Sequence, residues 1–287
     1  MLIAQITDMH VVPSGELMGQ VVPTNAMLET AIARINALVP AVDMILATGD
    51  LTESGSPESY AALRDILATA IAPVFLIPGN HDKPDAMRAA FPGHAYLGRS
   101  TFMHYTVEEW PLRLIGLDTR IDQHACGEIC SERLAWIKDQ LDAQPKRPTL
   151  IFMHHPPFRT GIWWMDAIGL RGAHGLENLI RRYDNIEAVV CGHIHRPITR
   201  RWGGTIATVA PSTAHQMILD LKGEDFLGST KEPPALLLHR WSVETGLVTH
   251  TVYVDEHGRY DPPFHHDKEM IAQARAFFER SREEMGI

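Results

Sequence analysis

A chain of 287 residues with 45% hydrophobic and 21% charged residues can bury a sizeable core, and that composition excludes collagen-like, coiled-coil and wholly disordered proteins. The 26 Lys and Arg against 35 Asp and Glu give a net charge of −9 spread along the sequence. That balance argues against electrostatic binding of polymeric DNA or RNA but admits a small phosphorylated ligand held by metal.

The chain enters an apolar run at once, from Met1 to Ile6, without a basic leader segment, and Leu2 to Thr7 reads as the first strand. Thr24 reads as a helix N-cap, with Leu28, Ala31, Ile32, Ile35, Leu38 and Val39 at helical spacing until Pro40. A strand over Asp43 to Thr48 follows, then a helix opened by Ser56-Pro57 and running to about Thr69, then a strand from Pro73 to Ile77. Leu112 to Leu117 and Thr149 to Met153 are further strands, separated by a helix capped at Ser131 with Leu134, Ile137 and Leu141 on one face. A short helix near Leu176 to Arg182 leads into a strand over Ala188 to Cys191. Hairpins are expected over Arg200 to Ala210 and over Ala235 to Val254, as antiparallel additions to the sheets, with a loop-rich, cap-like insert at 211 to 234 between them. Residues 1 to 254 are therefore expected to form one domain, and 255 to 287 an extension ending in a helix from about Lys268, with Ile271, Ala274, Phe277 and Phe278 at helical spacing. Alternating strands and helices make this an α/β fold with a sheet covered on both faces.

Sixteen histidines are the outlier in the composition. Five short segments lie where a strand gives way to a loop: Asp8-Met9-His10, Gly49-Asp50, Gly79-Asn80-His81-Asp82, His154-His155-Pro156-Pro157 and Gly192-His193-Ile194-His195. Ligands of α/β sheets bind outside the carboxyl ends of the strands, so these side chains are expected to converge. Two Asp, one Asn and four His form a nitrogen and oxygen donor set suited to Mn, Fe, Zn or Co. They are too many for one ion. They fit two ions about 3.5 to 4 Å apart with a shared carboxylate, an arrangement that clamps attacking and leaving oxygens in phosphoryl transfer. Glycine at 49, 79 and 192 lets the backbone pass close beside such a centre.

This ordered set resembles the calcineurin-like metallophosphoesterases over roughly residues 1 to 215. The Gly49-Asp50-Leu51-Thr52-Glu53-Ser54-Gly55 stretch and the His154-His155-Pro156-Pro157 motif are similar to the class III cyclic-nucleotide phosphodiesterases and their bacterial glycerophosphodiesterase relatives. The resemblance implies a four-layered α/β/β/α sandwich and two divalent or mixed-valent ions. It places Asp8, His10 and His195 on one ion, Asn80, His154 and His193 on the other, and Asp50 across both. His81 would stand outside the ligand set, facing the phosphate. Water bound to such a pair loses a proton near neutral pH and attacks phosphorus in line, with the ions and His81 taking the developing charge and His81 able to protonate the leaving oxygen. Asp82 is expected to orient a ligand histidine, and His155 to serve structurally or to support the ligands from behind.

Related enzymes that act on phosphoproteins add an arginine in Gly-Asp-x-x-x-Arg-Gly, and here that arginine is missing. A diester carries one charge and needs no guanidinium clamp, so a small phosphodiester such as cyclic AMP is the expected substrate, with glycerophosphodiesters as the alternative. A phosphomonoester is disfavoured, as is a metal-free binding scaffold, because all seven ligands and His81 are present. His215 matches a substrate position of the glycerophosphodiesterase relatives. Trp163, beside Trp164, is a candidate for stacking a nucleobase, and Val21 stands where the glycerol-specific relative has an aromatic residue. Cys126, Cys130 and Cys191 are expected to be free thiols in a reducing compartment, His265-His266 a solvated loop, and the protein a cytoplasmic homo-oligomer without membrane contact.

Overall fold

The computed structural model describes residues 1–98, 100–224, 228–256, 258, 260 and 267–286, so the His265-His266 pair lies outside the described residues. In chain order the elements are β1 (Leu2–Ile6), α1 (Thr24–Asn36), β2 (Met44–Thr48), α2 (Pro57–Leu67), β3 (Val74–Ile77), α3 (Pro84–Ala90), β4 (Tyr105–Val107), β5 (Arg113–Leu117), β6 (Gly127–Glu128), α4 (Ser131–Ala143) and β7 (Thr149–Met153). There follow α5 (Trp163–Ala167), β8 (Leu170–Arg171), α6 (Ala173–Ile180), β9 (Ile186–Cys191), β10 (Ile198–Trp202), β11 (Thr205–Val209), β12 (Gln216–Met217), β13 (Ser229–Thr230), β14 (Ala235–Ser242), β15 (Gly246–Tyr253) and α7 (Lys268–Met285). The chain forms two compact units, Met1–Asp255 and Glu256–Ile287. In the second, α7 is capped by the Asp267 carboxylate, which accepts from the Glu269 and Met270 amides at 3.0 and 3.1 Å.

The first unit is built on two sheets, ordered β15-β14-β1-β2-β3 and β10-β11-β9-β7-β5-β4. Strands β1, β2 and β3 run parallel, as do β5, β7, β9 and β11, so their carboxyl ends gather on one edge of each sheet. Side chains alternate across each strand. Ile3, Met44, Leu46 and Ile77 join the second sheet in one core, whereas Ala4, Ile6, Ile45, Ala47 and Leu76 pack against Leu28, Ile32, Ile35, Tyr60 and Leu63 of α1 and α2 in another. On the far side, Ile137 and Leu141 of α4 and Leu176, Leu179 and Ile180 of α6 cover the second sheet. The result is the four-layered α/β/β/α sandwich. Each fully buried aliphatic side chain on these faces contributes about 1.5 to 3 kcal/mol relative to exposure.

Three helix boundaries differ from expectation. Pro23, not Thr24, is the N-cap of α1, and the Thr24 hydroxyl donates to the His10 carbonyl at 2.9 Å. The same helix stops at Asn36, leaving Val39 95% exposed, because the residues before a proline are driven out of helical geometry. Cys130, not Ser131, caps α4. Of the two hairpins, the second adds β14 antiparallel to β1 as expected, but the first adds β11 parallel to β9. The segment 211 to 234 contains the short pair β12 and β13.

Candidate metal centre

The five motif segments emerge side by side from the carboxyl ends of β1, β2, β3, β7 and β9. Asp8, His10, Asp50, His193 and His195 all have positive φ, at 52°, 45°, 46°, 73° and 53°, although none is glycine. Such backbone costs of order 1 kcal/mol or more per residue and persists only where the surroundings hold it. Here the His193 amide donates to both oxygens of Asp8, at 3.1 and 2.9 Å, and the Asp8 and His10 amides donate to the Gly49 and Asp50 carbonyls, both at 3.0 Å. The backbone is tight enough that a Cβ on Gly192 would stand 1.9 Å from Thr7 Oγ1, and one on Gly79 would stand 2.2 Å from the Asp50 amide nitrogen.

The donor atoms meet in two overlapping groups. His195 Nε2 lies 3.3 Å from Asp8 Oδ1 and 3.2 Å from His10 Nε2, which is 3.9 Å from Asp50 Oδ2. His154 Nε2 lies 3.3 Å from the same Asp50 oxygen and 3.2 Å from Asn80 Oδ1. His193 is buried with its ring 5.1 Å from that of His154, and its Nε2 has no hydrogen-bond partner among the described residues.

The outer nitrogens determine what the inner ones offer. His10 Nδ1 donates to Glu53 Oε2 at 2.7 Å, His154 Nδ1 to the Thr48 carbonyl at 2.9 Å, and His195 Nδ1 to the His215 carbonyl at 3.0 Å. Each of those acceptors requires a proton on Nδ1, so in the neutral rings all three Nε2 atoms present lone pairs to one another and to carboxylates. Facing lone pairs at 3.2 Å repel unless a cation lies among them. Burial opposes charge on these groups; ion pairing overrides it at Asp8, Asp50, His154 and His195, whereas burial pushes His193 well below the usual imidazole range. Asp8 is lowered to about 2, chiefly by His195, and Asp50 falls well below the carboxylate range beside His154, which is itself raised to about 9. This donor set fits metal ions, and described histidine and aspartate groups of this composition, among them Asp8-His10-His195 and Asp8-Asp50-His154, could hold them.

His81 stands beside this group, its ring 4.8 Å from that of His10. Its amide donates to Asp50 Oδ1 at 2.9 Å, and its Nδ1 to the Glu53 carbonyl at 2.7 Å, leaving Nε2 without a hydrogen bond among the described residues. Burial opposes a charge on this ring, but Asp50 and the Glu53 carbonyl raise its pKa.

Asp82 does not touch a ligand histidine. Its buried carboxylate accepts from the Leu51, Thr52 and Gly79 amides at 3.0, 3.3 and 2.8 Å, and from the Thr52 and Tyr60 hydroxyls at 3.3 and 2.9 Å. It binds the loop carrying Asp50 to the loop carrying Asn80. His155 packs its ring 4.5 Å from that of His193 and forms a further possible donor group with His154 and His193, but both its nitrogens are engaged, Nδ1 with the Thr119 hydroxyl at 2.8 Å and Nε2 with the Ala125 carbonyl at 3.1 Å. Glu53, which sequence reasoning missed as a partner of His10, carried a signal in its place three residues after Asp50. His215 comes close, its ring 4.6 Å from that of His195 and 5.6 Å from that of His10. A cavity of about 640 Å³ opens beside it, lined in part by Val21, Met27, Ala214, Pro234 and Val254. Trp163 does not line this cavity; it lies half exposed on α5 with its indole against Gly223. The three cysteines are free thiols.

The model of the calcineurin-like phosphoesterase family matches residues 1–197. The chain belongs to that family. Curated relatives of this calcineurin-like phosphoesterase include a protein of Arcobacter nitrofigilis named a probable glycerophosphodiester phosphodiesterase, GpdQ, 35% identical across 92% of this chain and 96% of the relative. They also include the 3',5'-cyclic adenosine monophosphate phosphodiesterase CpdA of Escherichia coli, 31% identical across 75% of this chain and 76% of the relative. Among solved structures, a dimetal phosphatase from Danio rerio superposes with a TM-score of 0.59 at 12% identity, covering 88% of this chain and 99% of that one. At that identity the likeness extends to the fold alone. The phosphoesterase is thus a hydrolase of phosphate esters, of a family that uses divalent metals, and no helix among its described residues is long and apolar enough to cross a membrane.

Proposed function

We propose that the chain hydrolyses small phosphodiesters at a centre of two ions, drawn from Mn, Fe, Zn and Co. Asp8, His10 and His195 would hold one ion, Asn80, His154 and His193 the other, and Asp50 both. The observation that carries this reading is the convergence of lone pairs from both sheets on Asp50 Oδ2, which lies 3.9 Å from His10 Nε2 and 3.3 Å from His154 Nε2. Bound there, the ions supply Lewis acidity and a water made acidic enough to attack at neutral pH. The remaining work falls to side chains. His81 donates Nδ1–H to the Glu53 carbonyl, so its Nε2 bears a proton in the imidazolium form, which its raised pKa favours, and gives that proton to a phosphoryl oxygen or to the leaving alkoxide, returning to the neutral ring. Asn80 Oδ1 is fixed at 3.2 Å from His154 Nε2, beside the reacting group. The apolar cavity next to His215 takes the alcohol or nucleoside portion of the diester.

The missing arginine favours diesters over monoesters, and 3',5'-cyclic nucleotides are the first substrate reading. Glycerophosphodiesters are the second, favoured by the extent of the match to the Arcobacter relative, 92% of the chain against 75% for CpdA. A cytoplasmic homo-oligomer completes the proposal. The test is metal analysis of the purified protein, followed by hydrolysis of bis(p-nitrophenyl) phosphate, p-nitrophenyl phosphate, cyclic AMP and glycerophosphoethanolamine with added Mn(II). Two metal equivalents and a diester rate well above the monoester rate support it, and the last two substrates decide between the readings. No metal and no turnover after reconstitution overturn it.

A further inference from the structure

The donors of the proposed centre come from different sheets. Asp8, His10, Asp50 and Asn80 follow β1, β2 and β3, whereas His154, His193 and His195 follow β7 and β9. Their spacing depends on how the two sheets are registered against each other. The layer between the sheets is filled largely by side chains such as Ile3, Met44, Leu46 and Trp241, whose contacts hold the sheets together without direction.

Away from the centre, the Tyr105 hydroxyl of β4 donates to the Leu76 carbonyl of β3 at 2.8 Å and the Leu247 amide of β15 to Glu187 Oε2 of β9 at 3.2 Å; next to the centre, a longer polar chain crosses that layer. Gln5 Nε2 donates to the Cys191 carbonyl of β9 at 2.9 Å and to Thr48 Oγ1 of β2 at 3.0 Å. Gln5 Oε1 accepts from His239 Nε2 of β14 at 3.0 Å, and His239 Nδ1 accepts from Thr249 Oγ1 of β15 at 2.8 Å. Gln5, Thr48 and His239 are all fully buried. The Cys191 carbonyl can only accept, so it fixes the amide orientation, and the amide oxygen in turn fixes the His239 tautomer. Both anchor points adjoin proposed ligands. Cys191 precedes Gly192-His193, and Thr48 precedes Gly49-Asp50 while its carbonyl holds His154 Nδ1.

We propose that Gln5 and His239 are positioning residues that set the register of the two sheets, and through it the distance between the two halves of the metal centre. The inference rests on the ligand assignment proposed above. An apolar pair of similar volume would fill the same space, and burying polar side chains is tolerable only when they are satisfied. What the polar pair adds is direction: a 2.9 Å bond from β1 to the last residue of β9 allows little sliding.

The test separates stability from geometry. In the Gln5→Met/His239→Leu double variant both partners leave together. The Cys191 carbonyl keeps the Ala210 amide at 2.9 Å and the Thr48 hydroxyl keeps the Ile6 carbonyl at 3.4 Å, so no new buried group is stranded. This variant is expected to melt near wild type, yet to bind its second Mn(II) about 10 to 100-fold more weakly and to lose the spin-coupled Mn(II) pair signal in electron paramagnetic resonance. His239→Gln, which can still donate to Gln5 Oε1, should keep the coupled signal, and His239→Leu should lose it. A wild-type coupled spectrum and affinity in the folded double variant overturn the inference. Should the double variant not fold, identical spectra for His239→Gln and His239→Leu overturn it equally. Wild-type protein that forms no coupled Mn(II) pair refutes the metal-centre assignment itself, and the inference with it.

Discussion

Replacing Gly79 by alanine is the sharpest perturbation the site offers, because it adds a single methyl group and no charge. The new Cβ would stand 2.2 Å from the Asp50 amide nitrogen, 2.2 Å from Asp50 Oδ1 and 2.8 Å from Asp50 Cγ, where ordinary contact begins near 3.4 Å. Backbone and side chain of Asp50 are both struck, so no rotamer change relieves the clash. The carboxylate expected to touch both ions must move by about 1 Å. Overpacking of this kind costs about 1 to 3 kcal/mol, and a 1 Å misplacement at a reacting centre costs on the order of 100-fold in rate. Gly93→Ala is the control, since nothing lies within 4 Å of its Cβ, and its stability should stay within about 0.5 kcal/mol of wild type. Thermal melts, metal content and bis(p-nitrophenyl) phosphate hydrolysis, measured on both variants, decide the matter. Gly79→Ala with full metal content and a wild-type rate would refute the claim that the position of Asp50 governs the centre.

Asp50→Ala is expected to lose both ions and all turnover, whereas His81→Ala should keep its metal and lower kcat by about 100 to 10,000-fold; a wild-type kcat in the latter would remove His81 from proton transfer and phosphate binding. Trp163→Ala should change KM for cyclic AMP and for bis(p-nitrophenyl) phosphate alike, because the indole rests on Gly223. A rise confined to cyclic AMP would instead show that Trp163 stacks the base. Burial lowers His239 to about 4 from the usual 6.5, so the unfolded chain binds the extra proton and stability falls as pH drops from about 6.5 towards 4. Wild type should therefore lose about 2 kcal/mol more than His239→Gln between pH 7 and pH 5, read from urea midpoints; parallel losses would mean that His239 titrates normally.

The motifs were legible because the chemistry demands particular side chains at strand ends, and strands such as Met44 to Thr48 announce themselves by apolar runs. The parts that were not legible share a physical cause. Seven-residue α3 and five-residue α5 are too short for helical periodicity to show, and two-residue β6 and β8 are defined only by pairing with each other. Thr24 carries a capping side chain, but tertiary structure gave its hydroxyl to the His10 carbonyl instead. Asp82 looked like a neighbour of His81 because the two are adjacent in sequence. Only folding shows that its five donors come from both loops and from Tyr60. Gln5 and His239, 234 positions apart, could not be paired by inspection at all.

The division of the donors between two sheets also orders events during synthesis. Asp8, His10, Asp50 and Asn80 leave the ribosome within the first third of the chain, on strands that pair with one another directly. The three histidines that complete the set, His154, His193 and His195, emerge much later, and β14, which flanks β1, later still. On the proposed assignment, a nascent chain would carry four of the seven ligands through much of its translation, and capture of both ions would have to wait for the later strands.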